Sequence, residues 1–237
     1  MRRLRVKVKN LKSIAFAATI LAALASPALS HSLDYVEQQL MENEDYFQPV
    51  DSHAPDFALE DAAGNPVEMA DLRGKVVILN FIYTNCGDFC PLHTELLAAL
   101  QAMINPTPMR DRVKFVTITT DPSRDTGAVL AEYSKAHGAD LGNWLFLTTQ
   151  QGQPEDTTRT VAKGYGLEFT QTEDGEQMHG VVTHVIDQDG RLKARFHGLK
   201  VQPLSIVTFV NALVNRDLPD DGHGDPGLLD WLKGLLG

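Results

Sequence analysis

The chain holds only two cysteines, Cys86 and Cys90. Without a third thiol, a disulfide-stapled scaffold is excluded. A bond between these two would close a very small loop and restrict the unfolded chain little, so stability does not explain the pair. Positive charge is also scarce: 21 Lys and Arg face 31 Asp and Glu, for a net charge of −10. That balance argues against nucleic-acid binding. No apolar run reaches the about 20 residues of a comfortable membrane span. Internal repeats and low-complexity tracts are absent. Hydrophobic residues at 43% still supply a core, and 237 residues fit one domain with tails, two domains being the alternative.

Acidic residues are missing from the first thirty positions. Arg2, Arg3, Arg5, Lys7, Lys9 and Lys12 form a basic start, and an apolar run follows from Ile14 to Ala25. Ala28-Leu29-Ser30 then places small residues where a signal peptidase reads. The pattern is that of a secretory signal over residues 1–30, with a retained N-terminal anchor as the alternative. Removing its six cations leaves the mature chain at −16. Export implies a periplasmic or other extracytoplasmic setting, where a Cys86–Cys90 disulfide is permitted. Cleavage after Ser30 would expose His31, and an amino-terminal histidine can chelate Cu(II).

Residues 31–53 are polar and acidic and read as a linker, with a short helix around Leu33–Met41. Phe57, Leu59, Val67 and Met69 flank the turn signal Asp61-Ala62-Ala63-Gly64-Asn65, which predicts a β-hairpin at the head of the domain. Lys75 to Tyr83 is a run rich in β-branched residues, the signature of a strand buried on both faces. Leu92, Leu96, Leu97, Leu100 and Ile104 recur at helical spacing, and Asn105-Pro106 ends that helix. A strand is predicted at Val113–Thr119, a helix from Asp125 to His137, and a strand at Trp144–Leu147. A helix near Thr157–Gly164 follows. A late hairpin joins Val181–Ile186 to Leu192–Phe196, and a final helix spans Pro203–Asn215. Alternating strands and helices with an antiparallel pair at the end predict an α/β domain over 54–215, a mixed central sheet flanked by helices.

The cysteines then fall at the carboxyl end of a central strand and at a helix N-terminus, where open α/β sheets place their sites. Free N–H groups and the partial positive charge there favour thiolate, so the Cys86 pKa is expected below that of a free thiol. Two chemistries remain open beside a pair of inert buried thiols. The pair can cycle between dithiol and disulfide, or two soft thiolates can select Cu(I) with a third ligand from elsewhere. His179 and His184 are the candidates. Five residues apart in an extended chain, they point to opposite faces, so at most one faces the cysteines.

Three blocks carry a family resemblance. Tyr83-Thr84-Asn85-Cys86-Gly87-Asp88-Phe89-Cys90-Pro91 is similar to the YTxCxDxCP signature of the Sco/SenC family. Asp121-Pro122-Ser123-Arg124-Asp125-Thr126 resembles its DPxRDT motif, and Trp144-Leu145-Phe146-Leu147-Thr148 its W-x-F-L-T strand. The family's metal-binding histidine lies eleven residues before the glycine of a D-x-x-G turn, and His179 lies eleven before Gly190. The resemblance implies a thioredoxin-like fold and a copper site of Cys86, Cys90 and His179. It implies delivery of copper, as Cu(I) or Cu(II), to the copper-receiving subunit of a respiratory cytochrome oxidase. A thiol reductant or an upstream copper donor is the further partner it implies. His184 stands where many members have tyrosine and is left out as a ligand. Gly87 replaces a common proline, and Met178 replaces the Asp that commonly precedes the histidine.

The competing reading is a thiol–disulfide reductase that keeps client cysteines reduced. Thioredoxin-like oxidoreductases hold a cis-proline before the strand facing the cysteines, and this chain has no proline between Pro154 and Pro203. That absence favours the metal reading. Asp121–Asp125 reads as a strand-to-helix turn with Asp125 capping the helix start. His93, one turn after Cys90, is expected to face solvent. Residues 217–226 read as a flexible acidic linker, and Leu228, Leu229, Trp231, Leu232, Leu235 and Leu236 form an apolar helical face in the tail.

Overall fold

The computed structural model describes residues 33–171, 177–178 and 180–216. The expected signal segment over residues 1–30, His31, His179 and the tail from residue 217 lie outside the described residues.

The domain is organised on a strand that water does not reach. β4 (Val76–Ile82) is buried at all seven positions, Asn80 included, as a mostly apolar run predicts. Ile78 and Ile82 face one core, and Val77, Leu79 and Phe81 face the other. Around it lie β1 (Phe47–His53), β2 (Ala58–Asp61), β3 (Pro66–Glu68), β5 (Val113–Thr119), β6 (Trp144–Thr148), β9 (Val182–Ile186) and β10 (Arg191–His197). They form one eight-stranded sheet in the order β1-β10-β9-β4-β5-β6-β2-β3. β4, β5 and β6 run parallel, while the remaining pairings are antiparallel, so the sheet is mixed. β7 (Thr170–Gln171) and β8 (Gln177–Met178) form a separate two-stranded ribbon.

Five helices are described: α1 (Leu33–Asn43), α2 (Phe89–Ile104), α3 (Gly127–Ala136), α4 (Thr157–Gly164) and α5 (Pro203–Asn215). Side chains of α1, α2, α3 and α5 fill the first core with Phe115, Trp144 and Phe196. α4 and the β2–β3 hairpin close the second, around Phe81, Leu59 and Tyr165. The arrangement is thioredoxin-like, with the expected hairpin added at its head.

The stretch 31–53 departs from the linker expectation. α1 buries Val36 and Leu40, one helical turn apart, in the first core. β1 then pairs with β10 as an edge strand of the sheet. Phe47 sits 5.2 Å from the ring of Phe196 and 5.4 Å from that of Phe209. Pro49 lies inside β1, next to a break in register between Pro49 and Ser52. An edge strand tolerates a proline that an interior strand would not.

Candidate metal centre

Strand β4 ends at Ile82, and the chain turns through Tyr83 to Asp88 into α2. Cys86 is half-buried in that turn, Cys90 is buried in the first turn of the helix, and both are free thiols. Asp88 stands at the N-cap but makes no side-chain cap. The Cys86 sulfur takes that place: the Cys90 backbone N–H donates to Sγ of Cys86 at 3.3 Å. One orphan donor of the helix thus falls on sulfur.

The two thiols differ. For Cys86, burial opposes the anion, but hydrogen bonds from the Cys90 side chain, the Cys90 and Asp88 backbone N–H groups and the Tyr83 side chain outweigh it and lower the pKa. The shift has the expected direction, with local donors as its cause. For Cys90, burial pushes the thiol well above its ordinary range, and the neighbouring Cys86 and Asp125 add to this. Of the two, Cys86 is the more readily ionised and so the more nucleophilic sulfur, and Cys90 holds its proton more tightly.

Asp125 does not cap α3; Thr126 occupies the N-cap. The fully buried Asp125 carboxylate instead reaches across to the cysteine turn. It accepts the Thr84 backbone N–H at 3.0 Å and the Thr84 hydroxyl, and also takes the Thr119 hydroxyl at 2.5 Å. The DPSRDT stretch therefore anchors the base of the site. Thr120 adds a clamp, its N–H donating to the carbonyl of Ile82 at 2.7 Å.

His93 does not face solvent. It is 2% exposed, and its Nε2 lies 2.8 Å from Oγ1 of Thr183 at the start of β9. His184 is fully buried on the opposite face, with ring centroids 6.0 Å from Phe81 and 5.2 Å from Tyr165. The strand alternation that separates it from Thr183 keeps it away from the cysteines.

β9 runs antiparallel to β4, with Leu79 opposite His184 and Ile78 opposite Val185. The start of β9 therefore lies at the end of β4 from which the cysteine turn departs. Among the described residues, no three His, Cys, Asp or Glu side chains form a metal-holding group. Those residues bring Cys86 and Cys90 together, and the expected third ligand, His179, falls outside them. They also contain no cis peptide bond.

A vicinal thiol pair at a helix N-terminus, at the carboxyl end of a central strand in this sheet, defines a thioredoxin-like dithiol protein. Residues 47–215 match the SCO1/SenC family. The chain belongs to that family. It is similar to a SCO1/SenC family lipoprotein from Bacillus anthracis str. Ames, with a TM-score of 0.63 and 26% identity, covering 70% of this chain and 97% of that one. It is also similar to yeast Sco1 with copper bound, with a TM-score of 0.55 and 26% identity over 68% of this chain and 89% of that one. The mitochondrial SCO2 homolog of Mus musculus is 32% identical over 137 residues, 57% of this chain and 52% of that protein. The matched region thus spans about half the length of that relative.

Proposed function

We propose that this protein is an exported copper carrier that binds Cu(I) through Cys86, Cys90 and His179 and hands it to the copper-receiving subunit of a cytochrome oxidase. The observation that carries the reading is the antiparallel pairing of β4 with β9. It sets the chain leading into β9 beside the turn that bears the thiols. Thr183 and Val185 belong to the cysteine side of the sheet, and His179 precedes them in the chain by four and six residues. Copper-bound relatives support the choice of cargo.

Cu(I) is soft and prefers thiolate with imidazole. Cys86, already biased towards thiolate, takes the ion first. Cys90 then gives up its proton to solvent as it becomes the second sulfur donor, so loading couples to proton release. The pair must be reduced to bind, because a disulfide has no thiolate to offer. Three donors leave room for an incoming ligand of the acceptor, and transfer proceeds by stepwise displacement. No helix among the described residues is long and apolar enough to cross a membrane. Residues 1–30, as a signal or anchor, place the domain on the extracytoplasmic side.

The asymmetry of the two sulfurs favours one second reading, a thiol–disulfide reductase. Cys86 thiolate would attack a client disulfide and release one client thiolate. Cys90, losing its proton, would then attack the mixed disulfide, release the second client thiol and leave Cys86–Cys90 oxidised. An external thiol reductant would reset the pair.

The experiment is copper titration of the reduced mature domain, wild type beside His179→Ala. One Cu(I) per wild-type chain, with markedly weaker binding in H179A, is the expected result. Equal tight binding in H179A removes His179 from the ligand set. Copper-free protein that still reduces client disulfides supports the second reading.

A further inference from the structure

The basic residues of this acidic chain are unevenly placed. Six of its 21 Lys and Arg lie in the first thirty positions, and five of the other fifteen, Arg73, Lys75, Arg110, Arg112 and Lys114, stand in two short stretches. The fold brings those stretches together. Lys75 leads into β4 and Lys114 lies in β5, and the two strands run parallel from Val76 beside Val113. Arg110 belongs to the 3₁₀ turn Pro108–Asp111 that precedes β5. The cations therefore gather where β4 and β5 begin, whereas the cysteine turn leaves the far end of β4. The seven residues of that strand set the two places roughly 20 Å apart.

Lys75, Arg110 and Lys114 line one cleft of about 370 Å³, near the lower end of small-ligand pockets. Its frame is fixed. The buried Asn143 side chain accepts from Gln101 at 2.6 Å and donates to Asn105 at 2.9 Å, while its backbone carbonyl accepts the Phe115 N–H at 2.8 Å. Gly142 leaves room for Arg110: a Cβ there would stand 3.2 Å from the guanidinium. The charges in the cleft are held but not cancelled. Lys75 donates to the carbonyl of Asp111, and Lys114 to that of Gly142 at 3.5 Å. A carbonyl takes a hydrogen bond without neutralising an ammonium. Arg110 pairs with Asp140 at 3.2 Å through one of its five N–H donors. Asp111 is the one carboxylate among the lining residues. Lys114 is half-buried, and its burial together with the repulsion of Lys75 lowers its pKa. Two like charges share a partly dry place, an arrangement that an anion between them relieves.

We propose that this cleft binds a phosphate group, with Lys75 and Lys114 as point charges and Arg110 as a planar donor fork towards its oxygens. A phosphate brings up to two negative charges and several acceptor oxygens, which matches three cations better than a single carboxylate does. The group belongs either to a soluble phosphate compound or to an anionic lipid headgroup, and the recognition chemistry is the same for both. The site lies at the opposite end of the central strand from the thiols and is independent of the copper reading.

The test uses the full mature chain, reduced, with inorganic phosphate as the probe. Amide NMR shifts are followed against phosphate at constant ionic strength, with chloride as the balancing anion. Saturable shifts are expected at Lys75, Val113, Lys114 and Gly142, and none at Cys86. Lys75→Gln and Lys114→Gln should each weaken binding about tenfold, and Lys114→Arg should retain it. Sedimentation with phosphatidylcholine vesicles, with and without phosphatidylglycerol, separates the two sources. Phosphate-binding wild type that pellets only with phosphatidylglycerol, beside K114Q that stays in solution, assigns the site to a lipid headgroup. Phosphate-binding wild type that ignores both vesicles assigns it to a soluble phosphate compound. No saturable shift in the cleft, or an unchanged phosphate affinity in the K75Q/K114Q double variant, would overturn the proposal.

Discussion

Asp125 accepts hydrogen bonds from both the backbone N–H and the hydroxyl of Thr84, a residue 41 positions earlier in the chain. A buried carboxylate is costly unless its oxygens are fully engaged, and here Thr119 takes part as well. The arrangement ties the start of α3 to the turn that carries Cys86.

Removing that carboxylate should be felt in stability first. Asp125→Ala is expected to cost about 3 kcal/mol, since hydrogen bonds to a charged group each contribute about 1.5–3 kcal/mol. Asp125→Asn, which keeps one acceptor oxygen, should cost less. Urea denaturation of the reduced, metal-free protein measures both. An unchanged midpoint in D125A would contradict the anchoring role.

The two sulfurs should differ in reactivity. Cys86 is half-buried with a lowered pKa, whereas Cys90 is buried with a raised one. Limited alkylation with iodoacetamide at neutral pH, followed by peptide mass mapping, should label Cys86 at least about tenfold faster, because thiolate is the reactive form. Equal rates would mean that the helix turn does not discriminate between them.

His184 gives the stability a pH dependence of known sign. Burial is the main cause that lowers its pKa, to about 3, with Arg195, His93 and His197 adding. The unfolded chain has the ordinary value of 6.5, so between pH 6.5 and 3 it binds the extra proton. Stability due to this residue is therefore full above pH 6.5 and lost as pH falls. Between pH 7 and pH 5 the wild type should lose about 2 kcal/mol more than His184→Phe. Parallel losses in the two proteins would show that His184 takes a proton inside the fold.

The early segment should be indispensable to the fold. Deleting residues 31–53 removes α1 and β1 and uncovers Phe196 and Phe209. The truncated chain is expected to unfold at a markedly lower temperature and to associate through the exposed edge of β10. Calorimetry and light scattering, with the full mature chain alongside, test this. A truncated chain of unchanged melting temperature would make the segment an appendage.

Periodicity made most of this architecture legible. The runs at 76–82 and 113–119, and the helices at 157–164 and 203–215, follow from patterns that one element can bury on its own. β1 was hidden because it buries little and contains Pro49, and its stability comes from β10, which lies about 140 residues away in sequence. His93 had a readable signal: positions 93, 97, 100 and 104 share one helical stripe, and polarity alone argued for solvent. Asp125 could not be placed from spacing, because a carboxylate beside a helix start reads as a cap. Only the tertiary approach of the cysteine turn gave it a different partner. Of the site, the two thiols and their unequal chemistry are in the described fold. His179 stands on family spacing alone and lies outside the described residues.

The sheet order carries a consequence for how the molecule comes into being. β4 finds its neighbour β9 about 100 residues downstream, and β1 waits for β10 until nearly all of the domain has emerged. If the chain is exported from its amino end, as proposed, its thiols emerge long before the strand that borders them. On the proposed function, the complete site would form only once that strand has arrived, so cargo capture would come last in biogenesis.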